Sequence, residues 1–503
     1  MITGPGTTAD DIVRNAQAEI CRPWLRHILP PADWIAFSRS AAAEGLILLA
    51  QWADTVQVHA LFLNQAALTI VAVSTQVREG QYPALSPVLP GAALYERMIH
   101  DLWGHRAQGA DDLPPWLDHG TWPQSRPMAV RPEPQSPTAL TMLASADQPD
   151  CMVLPLGPIW GQLEEAAHLR LTLDGPTIRR AEVLLGFTHK GTLTLMRGKS
   201  PRIAARFAAR LSADATVAHS VAFARATEAA MDVQAPARAV ALRIAMMEIE
   251  RIAVHFDTLA EVGRLAGSDI VRTRCGFLRE TLLRACEAAF GHRLMMDCVV
   301  PGGVASDIAE GGKQVILRAL GSIATELPDV RRLHDGPALA SRLTGLGRVG
   351  GALAASLGVG GVVGRASGYA FDARSSFTQA YDAFGPRLAI HSAGDAAARQ
   401  HLRLFEIEES LRLAGAALDA LPEGPLGIAL PPVSGEGIAC AESVRGDVWH
   451  WLRLDHGQIA AVFPRDPGWA LWPLAERVLE HATADDVDLI RASLALPASG
   501  MDL

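Results

Sequence analysis

Residues 241–256 read ALRIAMMEIERIAVHF. Apolar side chains recur there at intervals of three and four residues, namely Leu242, Met246, Ile249, Ala253 and Phe256. This spacing places them on one face of an α-helix, because a helix turns once in about 3.6 residues. The stretch therefore predicts a helix. Alanine-rich sequence of the same period, from about residue 200 onward, predicts a mainly helical domain around it.

The same stretch carries a polar face made by Glu248, Arg251 and His255. At about 100° per residue, His255 lies about 20° from Glu248 and Arg251 about 60° from it, whereas the apolar face is centred about 120° away. A polar helix face is usually exposed to solvent, but in a helical bundle it can also line a cavity or pair with a partner helix. The spacing alone leaves these interpretations open.

The sequence on the N-terminal side of these helices adds strands, so the chain as a whole predicts an α+β fold. Residues 32–43 suggest a helix, and residues 56–63 and 67–77 are rich in Val, Ile and Leu, which predicts a pair of strands. Residues 151–156 and 168–173 read as further strands, and the second ends at the turn signal Asp174-Gly175. Prolines crowd residues 123–137, which predicts an extended linker. We expect a small N-terminal α/β sandwich domain at 1–120, a proline-rich linker at 121–149, and a large, mainly helical domain with a small β-sheet at 150–503.

Composition narrows the function classes. The chain has 503 residues, enough for about two to four domains. It carries 45 Lys and Arg against 54 Asp and Glu, a formal charge of −9, which argues against nucleic acid as the main partner. Six cysteines without a C-x-x-C pair indicate a reducing compartment. Residues 1–11 lack the pattern of a secretory signal, and polar residues interrupt the longest charge-free run, 55–77. We expect a soluble chain, or one peripheral to a membrane.

Two short motifs have a plain structural explanation. Residues 345–350, GLGRVG, match G-x-G-x-x-G, but no β-branched run precedes them as a dinucleotide fingerprint requires. A junction between helices is the better interpretation, and we infer no NAD site from it. Glu96 and His100 lie one turn apart on a short helix that Gly104 closes. Such a pair can suggest a metal site, although an exposed helix face is more common.

A series of motifs follows in a fixed order along the chain. The first unit contains ERMIHDLWG at 96–104, and the second contains GFTHKG at 186–191, the polar face at 248–255, PGGVA at 301–305, RASG at 365–368 and RGD at 445–447. In this order they resemble two subunits of respiratory complex I, the 30 kDa type followed by the quinone-site 49 kDa type. The fused arrangement is similar to the large subunit of membrane-bound hydrogenases of the hydrogenase-4 and formate-hydrogenlyase type. The resemblance implies a nickel–iron hydrogenase large-subunit-like fold for the second unit.

The resemblance also identifies four positions that lack their cysteines. Residues 210–220, RLSADATVAHS, are similar to the first metal-ligand segment of the hydrogenases, with Ser212 and Ala215 in the cysteine positions. Residues 466–471, DPGWAL, resemble the second segment, with Gly468 and Leu471 in those positions. Nickel and iron in such sites need thiolates. The resemblance therefore implies no nickel–iron hydrogen chemistry and no metal bound by this chain.

Two functions remain open. The resemblance implies a subunit of an NADH dehydrogenase-like or hydrogenase-4-like oxidoreductase, peripheral on the cytoplasmic face of the inner membrane. An iron–sulfur small subunit would hold the cluster that donates electrons, a quinone-like molecule would accept them, and antiporter-like membrane subunits would move ions. The alternative is a catalytically silent scaffold. Trp160 and Ala213 favour it, because they replace the histidine and tyrosine that hold a quinone in complex I.

Candidate site residues follow from the motifs and the resemblance together. The candidate acid–base groups are Glu165, which falls where the hydrogenases have a glutamate, and His219, Glu248 and His255. The candidate cavity is lined by Trp160, Ser212, Ala213, Asp214, Ala215, Arg365, Arg465, Asp466, Gly468 and Leu471. Ser212 and Asp214 have a second interpretation, as caps of a helix that begins near Thr216.

Overall fold

The first unit is a twisted sheet with helices packed against it. The computed structural model describes residues 7–111, 114–136, 151–159, 165–496 and 499–503. The elements of the first unit are α1 (Ala9–Arg14), β1 (Gln17–Cys21), β2 (Trp24–Ile28), α2 (Pro31–Ala43), β3 (Ile47–Ala53), β4 (Gln57–Asn64), β5 (Thr69–Gln76), β6 (Gln81–Pro83), a 3₁₀ turn (Pro90–Ala92), α3 (Ala93–Trp103) and β7 (Arg106–Gln108). Five strands form one sheet in the order β1-β2-β5-β4-β3, in which only the β2–β5 pair is parallel. Helix α2 buries Trp34 and Phe37, and the ring of Phe37 meets that of Phe62 on β4 at 5.2 Å.

The second unit is mainly helical and carries two three-stranded antiparallel sheets besides short two-stranded ones. After the short strands β8 (Gln124–Ser125) and β9 (Glu133–Pro134), its elements are β10 (Met152–Leu156), β11 (His168–Asp174), β12 (Thr177–Leu184), α4 (Thr192–Met196), α5 (Pro201–Ala208), α6 (Thr216–Met231), α7 (Ala237–Leu265), α8 (Asp269–Phe290), β13 (Val299–Val300), β14 (Gly303–Val304), α9 (Gly312–His334), α10 (Pro337–Leu343), α11 (Gly351–Ser356), α12 (Gly361–Ala366), α13 (Ala373–Ser376), a 3₁₀ turn (Gln379–Tyr381), α14 (Ala396–Asp419), β15 (Gly435–Ser443), β16 (Gly446–Asp455), β17 (Gln458–Arg465), α15 (Gly468–Leu479), a 3₁₀ turn (Ala484–Asp486) and α16 (Val487–Leu494). The sheets have the orders β10-β11-β12 and β15-β16-β17. Helix α6 lies on β15 and β16, and α7 packs against α8 and α14.

The two units share one hydrophobic core. The ring of Trp52 on β3 stacks on Phe463 at 5.6 Å and meets Trp451 at 5.5 Å. Beside these rings, buried Arg26 donates from Nε to Glu436 Oε1 at 2.7 Å and from Nη2 to Oε2 at 3.0 Å. Apolar stacking and a buried two-point ion pair therefore join β2 and β3 to the β15-β16-β17 sheet.

Several sequence predictions can be compared with the observed elements. The helix predicted at 32–43 forms at Pro31–Ala43, the predicted strand pair forms as β4 and β5, and the hairpin at Asp174-Gly175 joins β11 to β12. The mixed α+β fold is confirmed. The proline-rich linker stays a prediction: in its described part β8 pairs with β9 and Met128 between them is buried, and residues 137–149 lie outside the described residues. The domain boundaries at 120 and 150 stay a prediction. In the described ranges, none of the helices has the length and apolar character needed to cross a bilayer.

Candidate functional site

Residues 210–220 and 466–471 occupy the places of the two metal-ligand segments without their cysteines, and we call them the first and second emptied segments. The first emptied segment is held in a buried polar group that we call the Ser212 cluster; its members are Ser212, Asp214, His219, Arg445 and Asp466. Arg445 Nη2 donates to Ser212 Oγ at 3.0 Å, to Asp214 Oδ1 at 2.9 Å and to Asp466 Oδ2 at 3.1 Å. On the far side of Asp466, His219 Nε2 lies 3.1 Å from the same carboxylate oxygen. One guanidinium thus bridges the first emptied segment and Asp466 of the second.

Charge balance fixes the protonation of this cluster. Burial alone raises the pKa of Asp466, but Arg445 and His219 outweigh it and lower the pKa to about 2. His219 Nδ1 lies 3.0 Å from His450 Nε2, and burial holds the pKa of His450 well below its usual range. Asp466 is therefore ionised at neutral pH, and the imidazole of His450 beside His219 is neutral.

Residues 499–503 pack against the Ser212 cluster. Ser499 Oγ is 3.2 Å from Ser212 Oγ, and the Ser499 amide donates to the Glu165 carboxylate. A Cβ on Gly468 would lie 2.8 Å from Met501 Cγ, so the methionine fills the space beside that emptied position. The second partner of Ser212 is thus a segment that no sequence motif pointed to. Leu471 is buried within α15.

The start of α6 shows that Ser212 and Asp214 do not cap it. The N-cap of α6 is Ala215, which makes no side-chain cap. Glu250 on α7 takes that role: its Oε2 accepts from Val217 N at 2.6 Å and its Oε1 from Ala218 N at 3.1 Å. The capping interpretation was therefore wrong, and Glu250 is a buried acid that the sequence motifs did not indicate.

The polar face of α7 belongs to a second buried group, which we call the Arg365 cluster. Its members are Glu248, Arg251, His255, Arg365, Asp372, Arg374, Glu406 and Glu442, all at most 5% exposed at their side chains. Arg365 donates to Glu406 Oε1 at 2.7 Å and to Glu442 Oε1 at 2.8 Å. Glu248 accepts from Arg374, from the Tyr381 hydroxyl at 2.7 Å and from Ser410 Oγ at 2.6 Å. The solvent-exposed interpretation of this face was wrong, because α14 and the 372–381 segment cover it.

The Arg365 cluster holds four carboxylates against three arginines. Burial lowers the pKa of His255 to about 3, so this imidazole is neutral and its Nε2 donates to Glu406 Oε2 at 3.1 Å. Burial and then Asp372 raise the pKa of Glu442 to about 7. The cluster is therefore one negative charge in excess when fully ionised, and Glu442 can carry the balancing proton near neutral pH.

One tight turn connects the two clusters. Glu442, the last residue but one of strand β15, lies in the Arg365 cluster, and Arg445 in the turn reaches the Ser212 cluster. Asp447, directly opposite Glu442 in the ladder, accepts from Arg465 Nη1 at 3.1 Å. Gly446 has a φ of 133°, which only glycine adopts readily. Arg465 thus lies beside the turn and outside the Ser212 cluster proper.

A cleft of about 640 Å³ opens beside the Ser212 cluster, between α7, α8 and α16. The end next to the Ser212 cluster, which we call the inner end, is lined by Glu165, Ala213, Asp214, Glu250 and Ser499, of which Ala213 is exposed. Its outer end is lined by charged residues of α7 and α8, including Asp257, Glu261, Arg264, Arg272 and Arg279. The volume is within the usual range for pockets that bind small molecules.

The structure divides the predicted site residues into two sets. Glu165, Ser212, Ala213, Asp214, Ala215, His219, Asp466 and Gly468 lie at or next to the Ser212 cluster, whereas Glu248, His255 and Arg365 lie in the Arg365 cluster. Trp160 lies outside the described residues. Glu96 and His100 form no common site, because the Glu96 carboxylate accepts from the amides of Leu85 and Ser86. The GLGRVG motif joins α10 to α11, as the junction interpretation predicted.

The thiolates that nickel and iron require are missing from the residues that stand in their place. Ser212 and Ala215 in one segment, and Gly468 and Leu471 in the other, provide no soft anionic ligand. In the described part of the chain, His, Cys, Asp and Glu side chains form no group of three or more arranged to hold a metal ion. The donor set does not fit a nickel–iron centre.

Comparison with known proteins agrees with this organisation. The profile of the family described as the 49 kDa subunit of respiratory-chain NADH dehydrogenase matches residues 271–433, and that of the 30 kDa subunit matches residues 41–134. Formate hydrogenlyase subunit 5 of Escherichia coli is 27% identical over 443 residues, which is 84% of this chain and 77% of that protein. The membrane-bound hydrogenase subunit alpha of Pyrococcus furiosus is 30% identical, over 66% of this chain and 83% of its own length.

Two further relatives extend the comparison. A chloroplastic NAD(P)H-quinone oxidoreductase subunit of Panax ginseng is 30% identical over 56% of this chain and 73% of its own length. A chain in the structure of the membrane-bound sulfane sulfur reductase, an archaeal respiratory membrane complex, has the same fold, with a TM-score of 0.67 and 23% identity over 71% of this chain and 100% of that one. The chain therefore belongs to the family of the complex I 49 kDa subunit and the large subunits of membrane-bound hydrogenases, with a 30 kDa-type domain fused in front of it.

Proposed function

We propose that this chain is the acceptor-site subunit of a complex I-like or hydrogenase-4-like oxidoreductase, peripheral on the cytoplasmic face of the inner membrane. Electrons from an iron–sulfur cluster in a small partner subunit reduce a quinone-like acceptor, and antiporter-like membrane subunits move ions in response. The relatives in the comparisons are subunits of hydrogenases and of a quinone oxidoreductase, which supports a place in such a complex. The chain itself contributes the acceptor site and binds no cofactor.

The observation that carries this proposal is the cleft whose inner end is the emptied ligand segment. Ala213 stands where the quinone-site chain of complex I carries a tyrosine, and the small side chain leaves this end of the cleft open. Carboxyl groups of Glu165, Asp214 and Glu250 line the same end. A quinone needs a proton for each oxygen as it is reduced, so acidic groups at this end suit the reaction.

The residues around the cleft have separable roles in the proposal. Arg445 Nη2 at 2.9 Å and Ser212 Oγ at 2.5 Å hold the Asp214 carboxyl group in one orientation at the end of the cleft. Behind Arg445, the Asp466 carboxylate pairs with His219. In the proposal, negative charge on a reduced acceptor attracts Arg445 and so weakens its interaction with Asp466. Arg445 provides the positive charge that stabilises a developing anion.

The test uses the complex recovered through a tag on this chain in mild detergent. The partner clusters are reduced, and their reoxidation is followed after addition of a short-chain ubiquinone analogue. We expect fast, saturable reoxidation in the wild type. Ala213→Phe fills the inner end of the cleft and should raise the half-saturating quinone concentration at least tenfold, whereas Ala43→Phe, on the exposed end of α2, should leave it unchanged.

The other outcomes are informative in the same experiment. Clusters that stay reduced with quinone in the wild-type complex would favour the scaffold function. Equal kinetics in Ala213→Phe and the wild type would place the acceptor elsewhere. His219→Ala should abolish reoxidation while the complex still assembles; wild-type turnover in this variant would remove His219 from the reaction.

A further inference from the structure

Helix α7 carries a second acid close to Glu248 that faces the other way. Glu248 and Glu250 are two residues apart, or about 200° around the helix, so they lie on nearly opposite sides. Glu248 belongs to the Arg365 cluster, whereas Glu250 lines the inner end of the cleft and is 8% exposed. The two carboxyl groups therefore lie in separate sites, one in the Arg365 cluster and one in the cleft.

The hydrogen bonds of Glu250 differ from those of the buried acids near it. Both of its oxygens accept from backbone amides, those of Val217 and Ala218, in the first turn of α6. Asp214 and Asp466 each accept from the Arg445 guanidinium, whereas Glu250 has no arginine or lysine within ion-pair distance among the described residues. The groups that most favour its ionised form are the two amides, followed by Arg445, which is already paired with Asp214 and Asp466.

We infer that Glu250 is the proton donor of the cleft: it gives a proton to the acceptor reduced at the inner end and recovers one from solvent at the outer end. The inference rests on the proposed function, because it assigns the source of a proton that quinone reduction consumes. It concerns a residue that no sequence motif singled out.

The surrounding groups fit this role. The groups that contact Glu250, act on its pKa or line the cleft with it are the α6 amides, Asp214 before α6, Arg445 in the β15–β16 turn, Glu165 and Ser499 at the inner end, Arg279 and Cys286 of α8, Arg293, and Arg491 of α16. Burial raises the pKa of Glu250 to about 8, the amides oppose this, Asp214 adds to it and Arg445 opposes it. A carboxyl in this state is protonated at neutral pH and can still release its proton.

A route for reprotonation follows the same helix face. Asp257 lies two turns beyond Glu250, about 10 Å along the helix axis, and its side chain is 57% exposed. Water in the cleft can connect the two carboxyl groups. Asp257 therefore marks the point at which protons enter from solvent.

The proton balance is simple. The quinone takes two electrons from the partner's iron–sulfur cluster, one after the other, and two protons. One O–H bond forms on a quinone oxygen as the O–H bond of Glu250 breaks, and the second proton enters from solvent through the cleft. Glu250 is then protonated again from the same water, so each turnover leaves the chain unchanged.

The decisive variant is Glu250→Gln in the tagged complex. Glutamine keeps an oxygen that can accept from the α6 amides but holds no transferable proton. We expect the rate of cluster reoxidation by the ubiquinone analogue to fall by about 10²-fold. In the wild type the rate should fall as the pH rises through about 8, since the protonated acid is required. Glu250→Gln should lose this pH dependence, and Glu250→Asp should retain it at a reduced rate.

Glu408→Gln is the matched control, because Glu408 lies on the exposed side of α14, where it pairs with Arg331. It should reoxidise at the wild-type rate. Wild-type rate and wild-type pH dependence in Glu250→Gln would overturn the inference. Recovery of the iron–sulfur partner with each variant shows whether the complex has assembled.

A second measurement separates this inference from the proposed function. The infrared spectrum of the wild-type chain should contain the C=O band of a protonated buried carboxyl that disappears as the pH rises through about 8 and is absent in Glu250→Gln. If quinone does not reoxidise the wild-type clusters but the band behaves in this way, the acceptor is wrong and the exchangeable proton on Glu250 stands. If the band is missing at every pH, Glu250 holds no proton to give.

Discussion

Arg365 bridges Glu406 and Glu442 within the Arg365 cluster, and replacing it by methionine should destabilise the chain strongly. Its guanidinium donates to Glu406 Oε1 at 3.0 and 2.7 Å, to Glu442 Oε1 at 2.8 Å and to the carbonyl of Phe371 at 2.9 Å. Arg365 is 1% exposed. Removing one partner of a buried ion pair costs about 3–5 kcal/mol, because the other charge is left without compensation.

The loss should depend on pH in a way that the structure specifies. At pH 6, Glu442 is mostly protonated in the wild type, because its pKa is about 7, and the loss comes mainly from Glu406. At pH 8, Glu442 is ionised in the wild type. In Arg365→Met it stays protonated, because the cation that stabilised its ionised form is gone. Protonation one pH unit above the pKa costs about 1.4 kcal/mol. We therefore expect the variant to lose about 1.4 kcal/mol more at pH 8 than at pH 6.

The assay is urea unfolding of the purified chain, followed by tryptophan fluorescence at both pH values. Arg331→Met is the control, since Arg331 and Glu408 form an exposed pair with 44% and 55% of their side chains accessible, and such pairs contribute about 0–1 kcal/mol. In a Glu442→Gln background, Arg365→Met should cost the same at both pH values, because residue 442 then no longer titrates. A loss below about 1 kcal/mol, or equal losses at both pH values in the single variant, would refute the reasoning.

Four further expectations follow from the same contacts. Arg26→Met should loosen the joint between the two units, because the buried Arg26–Glu436 pair at 2.7 Å is lost; limited proteolysis should then cut between them sooner, while Arg179→Met, in an exposed pair, should have no effect. The pKa values of Glu250 and Glu476 are raised by burial to about 8 and about 7, so the folded chain binds more protons than the unfolded chain above pH 4.5. Stability should accordingly decrease from pH 6 to about pH 8 in urea titrations, and Glu476→Gln should flatten the part of the decrease below about pH 7. Burial raises the pKa of Cys275 and Cys286 to about 12, so iodoacetamide at pH 8 should label the half-buried Cys151 first, as peptide mass spectrometry would show. Elemental analysis of the purified complex should find no stoichiometric nickel in this chain, because Ser212, Ala215, Gly468 and Leu471 offer no thiolate.

The local elements could be read from the sequence because they depend on neighbours along the chain. Helix α2, strands β4 and β5 and helix α7 follow from apolar period and from turn residues, and each forms close to its expected bounds. The angles between Glu248, Arg251 and His255 were also available from helix geometry. The helical spacing of residues does not show which other elements pack against this polar face of α7. Arg374, Tyr381 and Ser410, which turn this face into a buried cluster, are 126 to 162 residues away from Glu248.

The site was harder to read for the same reason. Ser212, His219 and Asp466 were found through motifs, and the structure brings them together through Arg445. Glu250 carried no motif: an acid two positions after Glu248 looks like an ordinary polar residue until the start of α6 is placed against it. Residues 499–503 were missed because SGMDL has no pattern of its own, and only tertiary packing places Ser499 beside Ser212.

The turn between β15 and β16 gives the two buried clusters a common rigid support. Its backbone is confined, because a Cβ on Gly361 would lie 2.3 Å from the carbonyl carbon of Arg445, which leaves almost no room between the turn and α12. Glu442 and Arg445 are three residues apart on this segment, and each pairs with a different cluster. The backbone therefore holds the carboxylate of one cluster and the guanidinium of the other in a fixed relation.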